Sequence, residues 1–339
     1  MDATELARIA AFYDDFGRQW AHGTSPLFED WATGIAKDPE FVGRIASLPR
    51  ALQQPNLLFT SARWIGAPLV PFVQVRDWLL AHWTDIVATG STRSTQTNEV
   101  GRCATWLPPL SRIDGPIALL EVGTAAGLCL YPDRYSVDYA APSGMRRWDP
   151  ATGPSSVELA CQLDDEASVP TRMPEIVWRR GIDLNPIDVG DPAAIDWLAT
   201  LVWPGPDHDA RVTRLRAAAA LVSAEPPEIV RGDLLETVTD AASAAPADAT
   251  VVIFHSAVLL YLDAEGRQKF AQIMAGLGDA IGRRVVWLSN ESSGTLPAID
   301  ERLPANVTPR GRFIQTWDGR PIALAGSHGA VYETRDFMA

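Results

Sequence analysis

The stretch Ile117-Ala-Leu-Leu-Glu121-Val-Gly123-Thr-Ala-Ala-Gly127-Leu holds the residues whose types and spacing best suit ligand chemistry. A short apolar run ends in a carboxylate, followed by two glycines four residues apart and then by residues able to start a helix. This order predicts a buried parallel strand that turns, beneath a small ligand, into a helix N-terminus. The glycines remove Cβ atoms where backbone and ligand nearly touch, and a helix start offers unpaired N–H groups to an anionic moiety. Glu121, Gly123, Thr124, Ala125 and Gly127 are therefore read as part of a nucleotide-type cofactor site.

Four further strand ends carry polar groups: Asp183-Leu184-Asn185, Asp233-Leu234, His255-Ser256 and Asn290-Glu291. In open parallel sheets ligands lie at the carboxyl ends of strands, near the point where strand order reverses. A dinucleotide needs the middle glycine of Gly-x-Gly-x-x-Gly against its pyrophosphate; here Ala125 and Leu128 stand at the second and third glycine positions. A donor without phosphate, S-adenosylmethionine, asks only for backbone groups, carboxylates and one acid for its ribose. Glu121 with the glycine turn, Asp183 for the ribose and Asp233 near the adenine meet that requirement, with Leu184, Leu234, His255 and Ser256 beside them.

These motifs resemble those of class I S-adenosylmethionine-dependent methyltransferases. More closely, the chain resembles an uncharacterised bacterial family known as a domain of unknown function. That resemblance runs through Ser94-Thr-Gln-Thr-Asn-Glu99, Glu121-Val-Gly123, Ala126-Gly-Leu128, Asp133-Arg-Tyr135 and Phe254-His-Ser256. It implies a methyltransferase-like core and brings no established substrate. The gap from Gly127 to Asp183 is longer than one helix and turn require, so Asp138, near the end of another strand-like piece, stands as the alternative ribose acid.

For chemistry, His255 ends the apolar run Thr250–Phe254 and is expected at the sheet's carboxyl edge, as a general base or as a structural histidine under the adenosine. Glu291 is the candidate for orienting a substrate amine or hydroxyl, and Glu99 is the third catalytic candidate. The segment Gly90–Arg102 is rich in hydroxyl and amide side chains, which reads either as a linker or as a loop over the pocket. In the second reading Thr95, Gln96, Asn98, Glu99 and Arg102 contact substrate. The resulting expectation is methyl transfer to a small molecule, to oxygen in preference to nitrogen. A non-catalytic cofactor-binding sensor or scaffold and a nucleotide-dependent oxidoreductase are its rivals.

The elements that must position these groups follow from periodicity. Residues 1–109 read as a helical cap subdomain: Leu6, Ile9, Ala10, Tyr13 and Phe16 recur at helical spacing, and Phe72–Ile86 repeats the pattern. Residues 110–339 read as an α/β domain, a Rossmann-like, methyltransferase-type, mostly parallel sheet with helices on both faces. An insertion spans about 135–177, and a final pair near Phe313–Thr316 and Ala330–Glu333 reads as an edge hairpin.

Bulk properties exclude several classes. A net charge of −13, with Lys37 and Lys269 the only lysines, opposes binding to a phosphate backbone. Three cysteines without C-x-x-C spacing oppose a disulfide framework or a zinc site, and no metal is expected. There is no membrane-length apolar run and no signal-peptide order at the N-terminus, so a cytoplasmic protein, monomer or homodimer, is expected.

Overall fold

Asp38-Pro39 shows how local chemistry sets the helices of the N-terminal third. The Asp38 carboxylate accepts from the backbone N–H groups of Glu40 and Phe41, while Pro39 occupies the first turn, where its missing N–H costs nothing. In the computed structural model, which describes residues 2–337, the chain forms two compact units. One holds the residues up to Thr97 together with Pro192–Thr213; the other holds Asn98–Asp191 and the chain from Arg214 onward. A single cut near residue 110 does not describe this division, because the chain returns to the first unit after Asp191.

The first unit is helical: α1 Ala3–Asp15, α2 Pro26–Ala36, α3 Pro39–Ala46, α4 Pro55–Trp64, α5 Phe72–Ala81, α6 Trp83–Ser91 and α8 Pro192–Leu201. The apolar stripe of α1 buries Ile9 and Tyr13 against Phe28, Trp31, Phe41, Ile45 and Phe59. Each such side chain contributes about 1.5–3 kcal/mol on burial. The amphipathic stretch Phe72–Ile86 forms two helices, broken at His82, whose ring stacks on Trp78 with 4.0 Å between centroids. Tryptophans here pack or brace: Arg93 lies over Trp64 and Trp197, and Trp197 Nε1 donates to the Ser94 carbonyl.

The second unit is built on a mostly parallel sheet of eleven strands in the order β3-β2-β4-β11-β10-β9-β8-β7-β1-β5-β6. Its central parallel part is β6 Glu228–Arg231, β5 Ile176–Asp183, β1 Ile117–Val122, β7 Thr250–Ser256 and β8 Val285–Ser292. Every residue of β1 is buried, as a strand covered on both faces must be. Strand order reverses between β1 and β7, the doubly wound arrangement. Helices α10 Leu234–Ser243 and α11 Ala264–Ile281 cover the face bearing Leu120, Ile253 and Trp287. The opposite face meets α7 Cys103–Leu110, with Trp106 edge-on to Phe254. Helix α9, His208–Ser223, carries the chain from one unit into the other, and α12 is the single turn Pro297–Asp300.

Three expectations are corrected. No α-helix follows the glycine turn; the chain makes short 3₁₀ turns at Leu128–Leu130 and Pro132–Arg134. Gly127 is left-handed, Leu128, Cys129 and Leu130 are all buried without an amphipathic stripe, and Pro132 removes a donor, so helix propagation fails at once. The insertion supplies three strands, β2 Ser136–Ala141, β3 Gly144–Trp148 and β4 Glu158–Leu163, which extend the same sheet. The C-terminal hairpin is β9 Phe313–Trp317 with β10 Arg320–Ala325, turning at Asp318-Gly319, where both residues take positive φ. β11 Val331–Glu333 then joins β10 to β4 in the sheet's interior, so no edge is closed there.

Candidate functional site

Alternation along the strands sorts the candidate residues by face, because partners in parallel register point the same way. Glu121 pairs with Phe254 and Gly181, and Ser256 pairs with Asn290. Glu121, Asp183, Ser256 and Asn290 therefore share the face that meets α7. His255 and Glu291 are one residue out of phase and lie on the α10–α11 face. The sheet separates the two groups.

On the α7 face, the segment Asn98–Arg102 lies against the strand ends. Asn98 Oδ1 accepts from Ala126 N at 3.3 Å. Arg102 donates to the carbonyls of Ser327 and Ser256, and its guanidinium lies 5.3 Å from the Phe313 ring centre. Glu99 pairs with Arg214 at 3.0 Å and caps Gly101 N, so it braces the segment. Thr124 Oγ1 donates to Glu121 at 2.6 Å, and Asp183 accepts from Ala125 N and Asn185 N at 2.8 Å each, tying the turn to β5.

This face carries a group of unmet hydrogen-bonding atoms. Asn98 Nδ2, Trp106 Nε1, Ser256 Oγ and both Asn290 side-chain atoms are buried without a partner. Asn290 itself is wholly buried. Buried polar atoms are nearly always paired, so a cluster of exceptions marks a place for a polar ligand or water. Donors outnumber acceptors in it, which suits a carboxylate or a hydroxyl-rich group.

Burial, and after it the neighbouring Cys129 thiol, raises the Glu121 carboxyl well above the usual range, against the opposing pull of Thr124 and Arg102. A raised native pKa favours folding when the acid is protonated. That contribution is full below the unfolded-state value and is lost as pH rises through the folded one. Glu121→Gln is expected to match wild type in urea melts near pH 4 and to exceed it progressively toward pH 8. Parallel pH profiles for the two proteins would refute the buried-acid assignment.

The structure places the other candidates differently. Gly123 and Gly127 are left-handed, but a Cβ at Gly123 would meet Val258 at 2.4 Å and one at Gly127 would meet Pro227 at 2.7 Å. Protein side chains, rather than open space, occupy those positions, and Ala125 is buried. Asp233 is the N-cap of α10, accepting from Leu235 N; Leu234 starts that helix and Leu184 is exposed. Asp138 lies on β2, with six strands between it and β1, and pairs with Arg147, so of the two ribose-acid alternatives only Asp183 adjoins the turn. Thr95 and Gln96 belong to the first unit, where they bond to Gln54 and Ser94.

His255 does not face a crevice. It is fully buried; Trp287 Nε1–H donates to its Nε2 at 3.0 Å, and its Nδ1 meets Glu291 at 2.8 Å. Indole can only donate, so Nε2 is the acceptor and Nδ1 carries the proton toward Glu291. The lone pair that a general base needs is engaged. Glu291 Oε1 also accepts from Val258 N and Leu259 N, which makes it the anchor of the loop after β7. Asn290, which the sequence marks only as part of a polar strand end, and Arg214, which no motif marks, are the residues left without a role by sequence reasoning. The alternation Val286, Leu288, Asn290 is the signal for the first: an amide at an inward position of an apolar strand.

Among the described residues no helix is long and apolar enough to cross a membrane, and no three metal-binding side chains converge. No curated protein matches the chain. The model of the family described as "Uncharacterized protein conserved in bacteria (DUF2332)" matches residues 10–333, and the chain belongs to that family.

Proposed function

We propose that the second unit binds S-adenosylmethionine along the face carrying Glu121, Asp183, Ser256 and Asn290. Its methyl group would pass to an oxygen of a small polar acceptor, nitrogen being the less favoured target. The observation carrying this reading is the cluster of unpartnered buried polar atoms at the carboxyl ends of β7 and β8, beside the reversal in strand order. The resemblance of the Glu121–Gly127, Gly181–Asp183 and Gly232-Asp233 motifs to those of methyltransferases supports the choice of donor.

The donor set fits in part. Amide donors at Asn98 and Asn290 and the Ser256 hydroxyl suit a carboxylate or ribose, and Asp183 stands against the turn. The turn itself offers no cradle, since Val258 and Pro227 fill the space beside its glycines, so the ligand's place is along the polar face. The cofactor supplies an electrophilic methyl; the chain's residues align the acceptor and exclude water, and positioning accounts for much of the acceleration. His255 has no role in removing the acceptor's proton.

A non-catalytic sensor is the second reading, favoured by the structural engagement of both His255 and Glu291. Calorimetric titration with S-adenosylhomocysteine is the test: saturable binding that Ser256→Ala weakens about tenfold is expected. Binding of NADH with no response to S-adenosylhomocysteine would transfer the site to the oxidoreductase class. Tight binding without turnover over a broad acceptor panel would favour the sensor.

A further inference from the structure

On the α10–α11 face, away from the polar cluster, a small cavity with room for a single water-sized guest is lined by Ser289, Glu291, Ser292, Leu296, Ile299, Asp300 and Ile314. Two carboxylate oxygens in it lack partners: Glu291 Oε2 and Asp300 Oδ1. The other oxygen of each acid is engaged. Glu291 Oε1 takes three donors, and Asp300 Oδ2 accepts from Gly294 N at 2.8 Å. Both carboxylates are thus held in place while one oxygen of each stays available.

Among the described residues neither acid pairs with an arginine or lysine. Arg267, the basic residue bonded within this loop, directs its guanidinium to the carbonyls of Leu259, Leu260, Leu262 and Thr295. Ser289 Oγ shares a hydrogen bond with Thr316 Oγ1 at 2.6 Å and keeps a lone pair. A burial that left both oxygens unpaired would be costly.

We infer that this cavity binds one hard divalent cation, calcium in preference to magnesium. All the polar side-chain atoms of the lining residues are oxygens, the choice of hard cations over zinc or copper. Calcium tolerates an irregular set completed by water, whereas magnesium demands near-octahedral geometry. With only two carboxylates the site is a weak one, in the range of about 10⁻⁴–10⁻³ M. Such an ion would tie the end of β8 to α12 and leave the His255–Glu291 bond intact.

Asp300→Asn is the discriminating variant, because its carbonyl can keep the bond from Gly294 while an amide replaces the free oxygen. Wild type is expected to melt a few degrees higher in 5 mM CaCl₂ than in NaCl of equal ionic strength, reversibly with EDTA, and Asp300→Asn is expected to show no such rise. Terbium emission sensitised by Trp287 and displaced by calcium reads the same site in the unaltered chain, so a variant that fails to fold leaves the test intact. No calcium-specific rise in wild type, an equal rise in Asp300→Asn, or terbium emission that calcium does not displace would each overturn the proposal.

Discussion

Asn290→Leu is expected to be more stable than wild type while losing the ligand. The amide is completely buried and neither of its polar atoms finds a partner. A buried unpaired group costs about 1–3 kcal/mol, and leucine keeps the branching and side-chain heavy-atom count without that penalty, its bulkier methyl groups taking back part of the gain. A net gain of about 1 kcal/mol would raise the melting temperature by roughly 2–4 °C in a unit of this size. Residues retained at a stability cost are characteristic of sites shaped for function. The check pairs a melting curve with a titration of S-adenosylhomocysteine. A variant that melts below wild type would show that the amide stabilises the fold, and the polar face would lose its strongest argument.

Glu291→Ala should show the opposite profile, a large loss of stability arising on the other side of the sheet. Its one engaged oxygen serves His255 Nδ1 and Leu259 N in the protein interior and the half-buried Val258 N. Truncation leaves three donors unsatisfied and the imidazole unheld, at about 3–5 kcal/mol. Denaturant melts measure the sum. Hydrogen exchange locates it, with the Val258 and Leu259 amides expected to lose protection first. If Glu291→Ala melts like wild type yet abolishes a methyl-transfer activity, the anchoring role is wrong and the acid belongs to the chemistry.

The strand core was legible because parallel strands buried on both faces read as continuous apolar runs, and Ile117–Val122 is the strand that its composition predicts. Long helices with caps, such as Ala264–Ile281 behind Asp263, were equally clear. The segment after Gly127 misled because a glycine turn with a carboxylate before it suggests a helix start, while the decisive Pro132 and the uniformly buried Leu128–Leu130 act through tertiary packing. The short strand β3 escaped notice because Met145, Arg146 and Arg147 carry no alternation, being exposed on a sheet edge.

The site was legible by position more than by role. Strand ends pointed to Glu121, Asp183, Ser256 and Asn290, and the polar segment supplied Asn98, Glu99 and Arg102. Sequence proximity also grouped His255 with Ser256, yet adjacent residues of a strand face opposite ways. Strand parity alone assigns His255 and Glu291 to the face opposite Ser256 and Asn290. The partners that fix histidine's tautomer, Trp287 and Glu291, lie on the next strand at alternate positions, information that one strand's sequence does not contain.

A crystal structure of the protein soaked with S-adenosylhomocysteine tests the central claim most directly. The account predicts electron density for the ligand within hydrogen-bonding distance of Asn98 Nδ2, Ser256 Oγ and the Asn290 amide, with His255 still bonded to Trp287 and Glu291. Density showing those atoms bonded only to water, with the ligand absent or bound elsewhere, would contradict it.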